Sequence, residues 1–541
     1  MGDRKRQIKD PIYGYIYLPR DIVQSIVDTP EFQRLRKITQ TSYEALYPSA
    51  THNRFAHSLG VFHLGSLVAK TIEEESLDGY DLSDLQRNHY REYLEAYKLA
   101  CLLHDVGHAP FSHTSEDFYI AKTGRQPLHE RIAGLANDPS FVSDAKSAAP
   151  HELMSVVVGL EKFGAIVGSD AKKSFFARAI TGYKYNVKDY TAGNAEGVNY
   201  SFLNALISLL NSKVVDVDRL DYLIRDAFQT GYESVNIDYE RLLGAVRIKK
   251  NKNDGSYHLV FSKDALSVLE NAVYAHDAEK KWIQTHLSIC YETYLLENAI
   301  KNMMAEDDLK DVPVFSKDSL SERGIALPEG YVLRLMADGD ITFLLKNHGN
   351  DFTKEYFSRS ERKHPLWKTE HEYRSYFQDT RWTAFFDDFF KCDWVSAPSR
   401  INASLLRNCK ENVARRQKAV DKASNAEREQ CQAKLRFAQR MLARVEKFEE
   451  FAAEVGTEFD FVVLDRSPFE SGFNRKEFAK LQIEVRGSDR TMSFSDATDV
   501  LSRDEKDSGE NETYYLFWKK SAKMSSFAAI DKFKGMLSGL L

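Results

Sequence analysis

One stretch of ten residues, His104-Asp105-Val106-Gly107-His108-Ala109-Pro110-Phe111-Ser112-His113, constrains this chain more than any other. It follows directly on Leu94–Leu103, a largely apolar run of helical spacing, so His104 and Asp105 are carried on a rigid, core-anchored element. Imidazole nitrogen together with carboxylate oxygen is a donor set for borderline divalent cations such as Fe, Mn, Co, Ni or Zn. Successive helical residues point about 100° apart, so the pair reaches an ion from one flank and other segments must complete the set. Asn53-Arg54-Phe55-Ala56-His57-Ser58 offers His57, and Asp216-Val217-Asp218-Arg219-Leu220-Asp221-Tyr222 offers Asp218. Each has an ordinary alternative when taken alone. A histidine among apolar residues is commonly structural, and Asp216, Asp218 and Asp221 are commonly caps or a solvated face.

Around this segment the chain reads as mainly α. Asp10-Pro11 is turn chemistry ahead of the aromatic and β-branched run Ile12–Leu18, which predicts a short hairpin. Thr29 as N-cap, Pro30 at the first helical position and Glu31 in the first turn predict a helix over Pro30–Thr39. Apolar residues recur at helical period in Tyr93–His104, Phe202–Val214, Val217–Phe228 and Ala265–Ala299. From Ala403 to Ala453 an Ala-, Glu-, Lys-, Arg- and Gln-rich stretch without Pro or Gly predicts one long helix or a helical pair. Within it Cys431, Leu435, Ala438, Leu442 and Val445 form an apolar stripe, a face for packing or for oligomerisation. Phe459–Leu464, Leu481–Val485 and Tyr514–Trp518 read as strands, and Ser502–Thr513, polar and charged, as a loop.

Composition excludes several classes. The 74 Lys plus Arg stand against 80 Asp plus Glu, a net charge of -6, which is not the surface of a protein that coats nucleic acid. Cys101, Cys290, Cys392, Cys409 and Cys431 include no C-x-x-C pair for zinc or redox work. No apolar run reaches the roughly 18–20 residues of a membrane span, and the start lacks the apolar stretch of a signal peptide. A cytoplasmic protein is expected.

Six stretches in order, DTPEFQRLRKITQ, HNRFAHSLGV, LLHDVGHAPFSH, HELMS, DVDRLDYLIRD and GYESVNIDYERL, resemble the successive motifs of the HD-superfamily deoxynucleoside triphosphate (dNTP) triphosphohydrolases. Some mammalian members couple a sterile-alpha-motif domain to the HD domain; none is expected here, because the chain begins almost at the first strand. The resemblance runs from about Ile8 to Arg247 and more weakly to Lys368 and the C-terminal strands. It implies an HD-type helical catalytic domain over 1–400, a long helix or helical hairpin over 401–455 and a small α+β region over 456–541.

Residue by residue, the resemblance implies one divalent ion held by His57, His104, Asp105 and Asp218, with Mg accompanying the nucleotide. Arg54 matches the arginine on the α-phosphate. His108 and His113 match phosphate-side histidines, with His113 the group that protonates the leaving 5′ oxygen. His151 matches a further active-site histidine, for which His129 is a competing assignment. Gln40, Tyr222 and Asp226 match groups that recognise the sugar and its 3′ hydroxyl, and Arg219 stands where the family has a lysine. Asp28, Gln33, Arg36 and Arg241 match positions that bind an activating nucleotide, an arrangement that Ser262 and Asp264 disfavour where the family carries basic groups. Gln284 replaces a tyrosine beside the sugar, and His276 stands near the place of a phosphate-side arginine. The expected activity is hydrolysis of a dNTP to deoxynucleoside and triphosphate by a homo-oligomer. Two alternatives stay open: an HD phosphodiesterase or nuclease, and a nucleotide-sensing protein with a partner.

Overall fold

Helices carry the architecture, as the apolar spacing predicts. The computed structural model describes residues 5–122, 124–144, 148–188, 192–212, 214–232, 236–390, 400–424, 427–464, 475–484, 490–498, 500, 513–520 and 524–541. Two compact units account for the chain: Met1–Gln284, Ile300–Gly349 and Pro468–Ser508 form the first, and Thr285–Ala299, Asn350–Ser467 and Gly509–Leu541 the second. Among the described residues no helix is long and apolar enough to cross a membrane.

The first unit opens with the expected hairpin, Lys5–Asp10 paired antiparallel with Gly14–Pro19. Asp10 Oδ1 closes its turn by accepting from the Ile12 and Tyr13 amides. Behind it the Arg54–Glu75 helix packs on Asp84–Leu103 and on Val217–Thr230, with Pro150–Val167, Asp170–Thr181 and Tyr200–Leu210 completing the core. The helix expected over Pro30–Thr39 is shorter, Pro30–Gln33 followed by a 3-10 turn over Arg34–Lys37. Thr29 occupies the N-cap position, but its hydroxyl donates to the Ile26 carbonyl instead of capping. Ala265–Ala299 is likewise interrupted: Leu266–Glu279 passes through a π turn over Lys280–Gln284 before Leu287–Met303 begins.

In the second unit Ala403–Lys422 and Arg428–Val455 form the expected helical pair. Leu435, Ala438 and Val445 are buried and Leu442 packs against the core, so the stripe is an internal packing face. That core is aromatic, with Trp367, Phe386, Phe448, Trp518 and Phe533 in one cluster. Phe459–Leu464 pairs antiparallel with Thr513–Trp518.

The boundaries 1–400, 401–455 and 456–541 do not describe these units. Gln482–Glu484 adds in parallel to Tyr257–Phe261, in the same sheet as Val246–Lys250 and Thr491–Ser493, so part of the C-terminal third belongs to the first unit. Strand pairing is non-local, and nothing in a strand's own sequence names its neighbour. Val485 and residues 502–512 lie outside the described residues.

Candidate metal centre

Three helices deliver the four expected ligands. Asn53 caps Arg54–Glu75 by accepting from the Ala56 amide, which sets Arg54 and His57 in the opening turns. Asp84–Leu103 starts on a reciprocal Ser83–Gln86 capping box and ends in the core at His104 and Asp105. Asp216 caps Val217–Thr230 by accepting from the Arg219 amide at 2.8 Å, so Asp218 leaves its first turn. Close approach is possible because Gly60 has no side chain: a Cβ there would lie 1.8 Å from Asp221 Oδ1.

The donor atoms converge. His57 Nδ1 faces Asp221 Oδ2 at 2.7 Å and His104 Nδ1 faces the Cys101 carbonyl at 2.9 Å. A carboxylate and a carbonyl only accept, so both Nδ1 atoms donate and both Nε2 lone pairs turn inwards, 3.2 Å apart. Two lone pairs so placed require a cation between them. Asp218 Oδ1 lies 2.9 Å from His57 Nε2 and 3.5 Å from His104 Nε2, and the Asp105 oxygens lie 3.6 and 3.5 Å from the same two nitrogens. Ligands about 2.1 Å from an ion in tetrahedral array stand about 3.4 Å apart, so these residues fit a divalent metal.

The electrostatics agree. Burial opposes charge on His57, yet Asp218 and Asp221 raise it to about 10, so this pocket favours a positive charge. Burial would raise the Asp105 carboxyl, but Arg54, His104 and His57 hold it below the usual carboxylate range. Arg54 is buried with its guanidinium fully engaged: Nη1 donates to Asp105 Oδ2 at 2.8 Å, Nε to Ser112 Oγ at 2.8 Å and Nη2 to the Gln40 carbonyl at 3.1 Å. Asp218, with its side chain 40% exposed, opens the site to solvent.

A histidine cluster adjoins it. His108 Nε2 lies 3.6 Å from Asp105 Oδ1, and the His108 ring stacks on His151 at 4.2 Å with His113 edge-on to both. His151, not His129, therefore joins the group; His129 is buried on the Gln126–Leu135 helix. Glu116 bonds both His113 Nδ1, at 3.3 Å, and His151 Nδ1. Burial works against charge on His151, but Glu116 raises it to about 9. Burial and the nearby Arg54 and His151 keep His108 neutral. The loop carrying His113 is strained: Phe111 and Ser112 have φ of 57° and 53°, in the left-handed region that side chains disfavour. Asp338 holds it by accepting from the Phe111 amide at 2.7 Å and from Thr39 at 2.8 Å.

The other expected residues take definite places. Asp226 is buried and accepts from His52 Nε2 at 2.6 Å. Tyr222 lies one helical turn before it, and Gln40 is buried with Oε1 lacking a hydrogen-bond partner among the described residues. Arg219 reaches the Ser212 carbonyl and Asp216. Arg36 stacks over Phe55 at 3.5 Å and bonds Gln33, and Asp28 pairs with Arg6; Arg241 lies on the Tyr239–Gly244 helix. Glu116 and Asp221 were not among the expected site residues. Each stands three positions after one that was, His113 and Asp218, a helical spacing that could have flagged both.

Comparison with known proteins places this geometry. The HD domain family model matches residues 54–145. Deoxynucleoside triphosphate triphosphohydrolase SAMHD1 of Gallus gallus is 31% identical over 253 residues, 46% of this chain and 37% of that protein; the Homo sapiens protein is 31% identical over 257 residues, 47% of this chain and 37% of its own length. The uncharacterized protein YwfO of Bacillus subtilis is 27% identical over 250 residues, 46% of each chain. The chain thus spans less than half the length of these relatives. A phosphohydrolase of Bacteroides thetaiotaomicron shares the fold, with a TM-score of 0.54 at 19% identity over 96% of this chain and 100% of that one. Residues 54–145 are therefore an HD domain, and nearly half of the chain is similar in sequence to the SAMHD1 triphosphohydrolases.

Proposed function

We propose that this chain is a metal-dependent phosphohydrolase that cleaves dNTPs to deoxynucleoside and inorganic triphosphate. The observation that carries the reading is the contiguity of the two clusters: the His57, His104, Asp105 and Asp218 donors abut His108, His113 and His151 through Asp105. A divalent ion held by the first set, of the Fe, Mn, Zn, Co or Ni class, supplies Lewis acidity towards a phosphoryl oxygen and water.

The chain's own groups do the rest. Arg54 holds Asp105 ionised and in place, a more buried task than the α-phosphate contact that the resemblance implies. His151, kept cationic by Glu116, and Arg219 offset triphosphate charge. Water attacks the α-phosphorus, the P–O5′ bond breaks, and His113 gives the departing 5′ oxygen its proton. Gln40, Tyr222 and Asp226 receive the sugar. Similarity to the SAMHD1 proteins supports the choice of substrate, and with it an activating nucleotide at Asp28, Gln33, Arg36 and Arg241 and a homo-oligomeric state.

The test is product analysis. Purified chain with Mn, Fe or Mg should convert at least one dNTP, offered singly or in pairs, to deoxynucleoside and triphosphate. Asp218→Ala should abolish turnover, and His113→Ala should slow it by roughly 10²- to 10⁴-fold with metal retained. Diphosphate or orthophosphate release would move the reaction to another bond. Cleavage of a cyclic dinucleotide or an oligonucleotide, with every dNTP mixture inert, would transfer the chain to the phosphodiesterase class.

A further inference from the structure

Two turns along Val217–Thr230 from Asp218, about 12 Å at 1.5 Å per residue, a second carboxyl pair is buried. Asp226 comes from that helix, and Glu279 is the last residue of Leu266–Glu279. Glu279 is only 1% exposed. Gln284 Nε2 donates to its Oε1 at 2.8 Å, while Oε2 has no hydrogen-bond partner among the described residues. The Tyr43 phenol stands against both carboxyls, and His52 donates to or shares a proton with Asp226 Oδ1 at 2.6 Å. Gln40, whose amide donates to the His52 carbonyl, adds a second buried and unsatisfied acceptor, Oε1. Two unsatisfied oxygens in one polar recess mark a place where a ligand supplies hydrogen-bonding groups.

We propose that Asp226 and Glu279 share one proton and together recognise a sugar hydroxyl of the nucleotide, with Glu279 a specificity-determining residue that the HD motifs do not contain. This rests on the reading of the metal centre given above. Two buried carboxylates side by side cannot both ionise; burial first, and then the Asp226 charge, hold Glu279 well above the usual carboxylate range. The pair therefore offers one acceptor and one O–H donor. A hydroxyl both donates and accepts, and so satisfies both at once, whereas a phosphate would meet like charge. Gln284, which stands where the resemblance leads one to expect a tyrosine, has a specific task here: it orients Glu279.

The groups facing Glu279 are Tyr43 and His52 from one wall, Tyr222 and Asp226 from the helix, and His276 and Lys280 on its own segment. All but Glu279 itself are unchanged in a Glu279→Gln protein, so the difference between the two pH profiles reports Glu279. Calorimetric binding of dATP and of 2′,3′-dideoxy-ATP is measured for the full chain with Mn, in a His113→Ala background that keeps nucleotide intact. Glu279→Ala should weaken dATP about three- to tenfold, the loss of one hydrogen bond, and leave the dideoxy nucleotide within about twofold. Glu279→Gln should keep dATP affinity at pH 6 and abolish the decline that the glutamate protein shows as pH rises towards 9. Dideoxy binding reports that each variant is folded; if Glu279→Ala loses both ligands, the Glu279→Gln profile alone decides. Equal effects on the two nucleotides, or matching pH profiles, overturn the carboxyl pair while turnover by the wild-type chain leaves the phosphohydrolase reading standing. Failure of both nucleotides to bind overturns both.

Discussion

Asp221 accepts the Nδ1 proton of His57 at 2.7 Å, and Arg225 and Tyr13 occupy the rest of the same carboxylate at 2.8–3.0 Å. All its acceptor sites are used, so the ring of a metal-site histidine is fixed in both tautomer and orientation. Asp221→Ala should cut metal affinity by about 10- to 100-fold, read as metal per chain after dialysis. It also leaves the buried Arg225 with Asp10 alone, at a cost of about 3–5 kcal/mol for a broken buried pair. Tyr13→Phe removes one hydrogen bond and should cost about 1 kcal/mol. Full metal occupancy in the Asp221→Ala protein would refute this role.

Gly60→Ala tests the same contact from the other side. In an unconstrained helix this change stabilises by about 1 kcal/mol. Here the new Cβ would collide with Asp221 Oδ1 at 1.8 Å, so we expect a loss of about 1–3 kcal/mol and reduced metal binding. A rise in melting temperature would show that the helices separate freely.

The Glu116–His151 pair gives a pH signature. In the unfolded chain these groups titrate near about 4.3 and 6.5; in the fold Glu116 is depressed by the two histidines it bonds, against its burial, and His151 is raised to about 9. The stability from Glu116 is present above its unfolded value and lost as pH falls. That from His151 is complete below about 6.5 and lost as pH rises through about 9. Melting temperatures of wild type and Glu116→Gln should therefore differ most near pH 6 and converge beyond the His151 value. A gap that persists at pH 10 contradicts the pairing.

Asp338→Ala should release the strained turn. The Phe111 and Thr39 amides lose their acceptor, at about 1–3 kcal/mol for buried groups, and His113 loses its fixed position, so kcat should fall more than KM changes. Phe111→Gly in that background should recover part of the stability, because glycine takes positive φ without the steric penalty. Urea melts of the single and double variants read this directly.

The structure brings together the metal-site residues that the sequence makes legible, because each sits in a short, chemically dense motif whose order is itself informative. The residues that orient them are not legible in the same way. Asp221 looks like any helix-surface acid until Gly60 and His57 are seen opposite it, and Glu279 becomes a carboxyl partner only when Leu266–Glu279 is packed against Val217–Thr230. Helices were readable from local periodicity, but the π turn at Lys280–Gln284 and the partner of Gln482–Glu484 depend on contacts distant in sequence. The apolar stripe through Leu435 announced burial without saying against what.

The brace at Asp338 also orders events during synthesis. A chain emerging from the ribosome presents His104, Asp105 and His113 early, but Asp218 follows more than a hundred residues later and Asp338 later still. Until then the nascent histidine segment is an open, unbraced metal-binding surface that any available divalent ion can sample. Selection of the resident ion is in this way deferred until the chain is well past its midpoint, when the turn at Phe111 and Ser112 can first be held shut.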